Sequence, residues 1–192
     1  MQQQVGFTLV EIAIVLVIIG LLLTGVMKGQ EIITNAKAKN IENSFKQVSA
    51  AIYTYQDRYF ALPGDDKKAT RFGESVKTGN RNGKIEGKFD SNTQSKESNL
   101  IWLHLRNAGL IAGKKDDYTQ PNNALGGIIG VSSENVVNIK GTFIGFSNIP
   151  GKVATIIEAH MDDGMTKYGS IQAEPTDDVY KDGEIYSLYF AM

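Results

Sequence analysis

The chain has no cysteine, no proline before Pro63 and no excess of either charge. Without cysteine there is no disulfide framework, no thiolate zinc site and no thiol nucleophile, although export is not excluded. With 20 Lys+Arg against 21 Asp+Glu, no global field draws the chain to nucleic acid or to an acidic partner. Histidine is scarce too. Its two representatives, His104 and His160, fall in predicted helices, where a core or surface role outweighs catalysis. No Gly-x-x-x-x-Gly-Lys-Ser/Thr phosphate loop and no Gly-x-Ser-x-Gly elbow occurs, and Gly126-Gly127-Ile128-Ile129-Gly130 lacks the following helix that dinucleotide binding needs. The residues therefore point away from an enzyme and from a small-molecule substrate. A length of 192 residues leaves room for one ordinary domain plus an N-terminal segment.

What is present is a long aliphatic run. From Ile12 to Met27 only Gly20, Thr24 and Gly25 are not aliphatic, and Val5–Met27 is long enough to span a bilayer, for which about 20 residues suffice. Glu11 stands where that run begins. An ionisable group in the hydrocarbon costs roughly 2.5–3.5 kcal/mol on insertion scales and is by default a functional hypothesis; the alternative leaves it in the headgroup layer. A secretory signal fits poorly, because Met1–Gly6 has no Lys or Arg and the small-x-small triplet Ala36-Lys37-Ala38 lies far beyond Met27.

The whole pattern, Gly6-Phe7-Thr8-Leu9-Val10-Glu11 followed by the aliphatic run, resembles the processing site of type IV pilin precursors and type II secretion pseudopilins. The resemblance implies a leader, residues 1–6, removed by a prepilin peptidase between Gly6 and Phe7, with N-methylation of Phe7. It makes Glu11 the assembly residue, paired with the Phe7 amine of a neighbouring subunit in a helical homo-oligomeric filament. At about 4 Å and an effective dielectric near 20 such a pair attracts by about 4 kcal/mol before desolvation. The precursor would sit in the inner membrane with a periplasmic head, served by an inner-membrane assembly platform, and end in an extracellular pilus or a periplasmic pseudopilus. The implied function is a structural filament subunit; the alternative is a minor pilin or pseudopilin acting in secretion, adhesion or DNA uptake. Two features depart from the family pattern. The leader lacks basic residues while Lys28, Lys37 and Lys39 follow the run, against the positive-inside rule, and Lys28 replaces a frequent proline. Any loosening of the helix is expected between Gly20 and Gly29, each glycine costing roughly 0.8–1 kcal/mol relative to Ala.

Past the apolar run, Ile41, Phe45, Val48, Ile52, Tyr55 and Tyr59 recur at spacings of four and three, marking one helix face. Lys37, Lys39, Asn40, Glu42, Asn43, Lys46, Gln47 and Gln56 form the solvated face between them. One helix over residues 7–60 would be roughly 80 Å long; a coiled-coil homodimer is the competing account of the stripe. Leu62-Pro63-Gly64 is the expected stop. Residues 61–192 then make the head. Lys67–Ser98 is polar, glycine-rich and basic. It reads as a solvated loop or, through Arg71, Lys84 and Lys88, as a contact for nucleic acid, an acidic glycan or a neighbouring subunit. Asn99–Gly109 reads as an amphipathic helix with Trp102 in the core. Gly127–Val131 and Val136–Phe146 read as hairpin arms with a turn at Lys140-Gly141, Val153–Met161 as a helix and Glu184–Phe190 as a last strand. The class is α+β, a long N-terminal helix packed on a small antiparallel sheet with two short helices in the head. Phe60–Asp65 and Trp102–Ile111 resemble segments of a subgroup of larger pilin-like proteins.

Acids come in pairs: Asp65-Asp66, Asp116-Asp117, Asp162-Asp163 and Asp177-Asp178. No metal is required by the sequence, and solvated turn acids are one account of these pairs. Calcium takes six to eight oxygen ligands, however, and the pseudopilin resemblance makes Asp162 and Asp163 calcium candidates. None of the pairs has the alternating spacing of an EF-hand loop.

Overall fold

A computed structural model describes residues 8–192, which fall into two compact units, one ending at Ala36 and the other spanning Lys37–Met192. Helix α1 (Leu9–Tyr59) forms the first unit and opens the second. In the first unit it runs unbroken through Gly20, Gly25 and Gly29, as a proline-free, aliphatic sequence allows. Its one hydroxyl within the aliphatic run is satisfied internally, Thr24 Oγ1 donating to the Gly20 carbonyl at 2.9 Å. Lys28 pairs with Glu31 at 2.7 Å on the same helix.

The second unit is α+β. Helix α2 (Glu97–Asn107), strand β1 (Ile129–Ser132), strand β2 (Phe143–Pro150), helix α3 (Gly151–Met161), strand β3 (Ile171–Glu174) and strand β4 (Ile185–Ala191) follow one another. The sheet is antiparallel throughout, in the order β1-β2-β4-β3. Ala38, Ile41, Val48, Ala51, Ile52 and Tyr55 of α1 are buried with Trp102 of α2, Ile144 and Phe146 of β2, and Leu188 and Phe190 of β4. Period-two alternation sends Phe143 and Tyr189 to the other face, into a cluster with Ile139 that Phe89 covers. The sheet admits that cover because Gly130 and Gly145 are cross-strand partners. A Cβ on Gly130 would lie 2.0 Å from the Phe89 carbonyl oxygen, and one on Gly145 would lie 2.6 Å from the Phe89 ring.

Several expectations need correction. Glu42 is not on the solvated face: it is 2 % exposed, held by Lys39 Nζ at 2.8 Å and His160 Nδ1 at 2.8 Å. The helix stops at Tyr59, before Leu62-Pro63, because Phe60 takes a left-handed φ of 51° while its N–H still bonds the Gln56 carbonyl. Helix α2 begins two residues earlier than expected, ends at Asn107 and is buried almost all round rather than amphipathic. The expected strand from Val136 starts only at Phe143; Val136 and Ile139 form an isolated bridge across the turn between the arms. Strand β3 was not anticipated at all.

The stretch after α1 is not a free loop. Asp65 accepts the N–H groups of Asn82 and Gly83, and Asp66 accepts the Tyr55 hydroxyl and the Lys68 N–H. Glu97 accepts the N–H groups of Asn80 and Glu86; burial pushes its carboxyl up, against those two amides. Gly64, at φ 91°, aims its N–H at His104 Nδ1 (2.9 Å), which leaves Nε2 to donate to the Lys77 carbonyl at 2.8 Å. His104 is therefore neutral, and burial lowers its pKa further. A depressed histidine pKa means that the unfolded chain takes the proton first. The contribution of His104 to stability is then complete above about pH 6.5 and is lost as pH falls through the lower folded value. Thermal unfolding in detergent at pH 7.5 and 5.5 is expected to show a smaller acid-induced drop for His104→Gln than for the parent chain; an equal drop would contradict the assignment.

Candidate functional site

The first turn of α1 is closed by a reciprocal cap. The Thr8 N–H and the Thr8 hydroxyl both donate to Glu11 Oε2 at 2.8 Å, and the Glu11 N–H reaches back to Thr8 Oγ1 at 3.3 Å. This is a capping box, Thr8-Leu9-Val10-Glu11, in which the N-cap hydroxyl and the carboxylate three residues on satisfy each other's free donors. Such closure matters more in lipid than in water, because the first N–H groups of a helix have no intrahelical acceptor and the hydrocarbon supplies none. The carboxylate also lies at the positive end of the helix dipole. Among the described residues, Glu11 Oε1 makes no hydrogen bond, so the cap uses one oxygen and leaves one acceptor. The Thr-x-x-Glu spacing was legible as a cap signal, but the apolar context drew the reading toward the charge alone.

Behind the cap the helix is apolar on every side. Large aliphatic side chains from Leu9 to Met27 are between 46 % (Ile19) and 86 % (Leu9) exposed, and no residue of the most apolar window is buried. A helix with one buried stripe would leave its other flank polar; this one has no polar flank. By length and composition it is able to cross a membrane. The expected cleavage pair, Gly6 and Phe7, lies outside the described residues.

Residues 1–27 match the family model of the prokaryotic N-terminal methylation motif. This is the prepilin-type cleavage and methylation segment of type IV pilins and pseudopilins. The match ends with the apolar run, and Lys37–Met192 lies outside it. Comparison with curated proteins and with solved structures gave no match. The prepilin-type segment fits anchoring in the inner membrane and is consistent with peptidase processing and filament assembly. The family that carries it is structural rather than enzymatic.

Other predicted site residues divide clearly. Arg71, one of the basic loop positions, is committed internally: its guanidinium pairs with Asp66 at 3.1 Å and sits 4.9 Å from the Tyr59 ring centroid. Lys84 and Lys88 are exposed. Of the acid pairs, Asp65-Asp66 is saturated by N–H and O–H donors, Asp117 faces Arg106 at 3.6 Å, and Asp177 and Asp178 are bridged to Lys181 and Lys167. Asp162 and Asp163 differ. Asp162 Oδ2 accepts the Ile171 N–H at 2.6 Å and Asp163 Oδ1 the Met165 N–H at 2.9 Å, and neither forms an ion pair among the described residues. Glu158, absent from the sequence-based candidates, joins them: one carboxylate oxygen from each lies within 4.8 Å of the others. Its signal was the four-residue spacing to Asp162, one turn along a helix.

Loss of the N-cap hydroxyl costs about 1 kcal/mol, or about five-fold in local opening. In the detergent-solubilised chain, Thr8→Ala is expected to speed amide exchange at Glu11 and Ile12 by about that factor relative to Ile19, and Thr8→Ser to leave it unchanged. Unaltered exchange in Thr8→Ala would contradict the cap.

Proposed function

We propose that this chain is a structural subunit of a type IV pilus or a related pilus-like filament. The observation that carries the reading is a helix apolar around its whole circumference, headed by one carboxylate that its own cap only half employs. Such a surface has two stable surroundings, lipid tails or other helices like itself. Lipid is as apolar as leucine, so moving between them changes the hydrophobic term little, and packing and polar contacts decide the direction. Glu11 supplies the polar contact. In a bilayer its second oxygen has no counter-charge. In a bundle, the amine that a prepilin peptidase exposes on Phe7 of a neighbouring copy pairs with it, attracting by about 4 kcal/mol before desolvation.

On this reading residues 1–6 are the leader, 7–60 the polymerising helix and 61–192 the head. The head lies in the periplasm while the helix anchors the precursor, an inner-membrane platform assembles the filament, and the chain performs no catalysis. The mature form is an extracellular pilus or a periplasmic pseudopilus.

Glutamine at the third helical position still closes a capping box but carries no charge. Glu11→Gln therefore separates the two uses of this side chain. Electron microscopy of filaments sheared from cells expressing the chain with its assembly machinery is expected to find at least ten-fold fewer in Glu11→Gln, with precursor accumulating in the membrane. Filament numbers equal to the parent would leave Glu11 a capping residue only and overturn the proposed pairing.

A further inference from the structure

A cleft of about 710 Å³ opens in the second unit between α1, α2 and the turn that follows α2. Its wall is apolar: Val48 and Ala51 of α1, Leu110 and Ile111 after α2, and Ile129 at the start of β1. No charged side chain lines it among the described residues, in a chain that is 21% charged. Its hydroxyls are engaged on α1 itself, Thr54 Oγ1 donating to the Ala50 carbonyl at 2.7 Å and Ser44 Oγ to Asn40 Oδ1 at 3.5 Å. Trp102, fully buried, also lines the cleft, and its indole N–H has no acceptor among the described residues. A buried donor without an acceptor has lost its water and gained nothing in return, and an oxygen brought to it recovers that cost. The indole nitrogen only donates, so the missing partner is an acceptor.

We propose that this cleft binds a small uncharged molecule, apolar in body and carrying one carbonyl-type oxygen that accepts the Trp102 indole N–H. Its volume lies in the range of sites for such ligands, roughly 300–1,000 Å³, and a mainly apolar wall with a few placed polar groups is their usual make-up. The lack of a charged lining residue among those described decides against an ion: a carboxylate or ammonium entering here would shed water without meeting a counter-charge. Gln47 and Asn122, exposed amides at the rim, offer a second polar group of the ligand either a donor or an acceptor. The carbonyl selects among apolar molecules, because a hydrocarbon of the same shape leaves the indole N–H unpaired. The site is independent of the filament reading, since none of its lining residues precedes Ser44 and it needs no second copy.

The chain has one tryptophan, so its indole N–H gives a single cross-peak in a proton–nitrogen correlation spectrum. Acetophenone and α-methylstyrene are a matched pair, alike in shape, in which a C=CH2 group replaces the C=O. In the nitrogen-labelled full chain in detergent, at matched free concentrations, acetophenone is expected to move the Trp102 indole peak downfield and to saturate. α-Methylstyrene is expected to bind about ten-fold more weakly or worse and to give no downfield shift. Ala50→Leu, an exposed change on α1 that narrows the cleft, should weaken acetophenone binding by about ten-fold or more and leave the thermal midpoint unchanged. An indole peak that acetophenone leaves in place, or that both compounds or both proteins move alike, would overturn the site. So would a peak that moves with protein concentration alone, which would give the cleft to a second copy.

Discussion

An aliphatic helix surface that meets solvent on every side is the constraint on which the rest depends. From Leu9 to Met27 there is no polar flank to turn toward water, and none of the described residues buries the apolar surface. Fully burying each such side chain is worth roughly 1.5–3 kcal/mol, so the segment is strongly favoured by any apolar surroundings that take it out of water. Everything polar in it is consequently disposed of locally. Thr24 bonds back to Gly20, and Thr8 and Glu11 satisfy the first turn. Among the described residues of this segment, the Glu11 carboxylate is the group whose cap leaves an acceptor oxygen over, and the proposed filament contact rests on it.

Carboxylates also organise the second unit, in three different ways. Asp65, Asp66 and Glu97 are buried acceptors that gather N–H groups from a glycine-rich, apolar-poor stretch and give it a defined path. Glu42 joins Lys39 and His160, and so fastens the α1 residues of this unit to α3. Glu158, by contrast, sits with two more acids and no base. The same functional group thus serves as loop organiser, as interhelical link or as an acid without a counter-charge among the described residues, according to which donors the chain brings to it.

The long-period features were legible in the sequence and the long-range ones were not. The apolar run and the face Ile41–Tyr59 are visible because hydrophobic periodicity is a local signal, and Trp102 was correctly read as core. Glu42 was misread because its neighbours are polar and its decisive partner lies 118 residues away. Strand β3 escaped because Ile171-Gln172-Ala173-Glu174 is four residues with one β-branched side chain, and its strand character comes from pairing with β4. The stretch 67–98 looked solvated because its own side chains are polar, yet its order is dictated by acids at its two borders, Asp65, Asp66 and Glu97. Glu158 was passed over because its four-residue spacing to Asp162 does not by itself mark an uncompensated acid. Only the burial of α3 does that.

The central claim is that this chain begins life as a membrane precursor and becomes a polymerising subunit through one cleavage that creates a charge opposite Glu11. The most direct measurement is the mass of the N-terminal peptide of the chain purified from membranes of cells that carry a prepilin peptidase. The account predicts a peptide that begins at Phe7 and bears a methyl group on its amine. A mature peptide that retains Gly6, or that begins beyond Glu11, would contradict it.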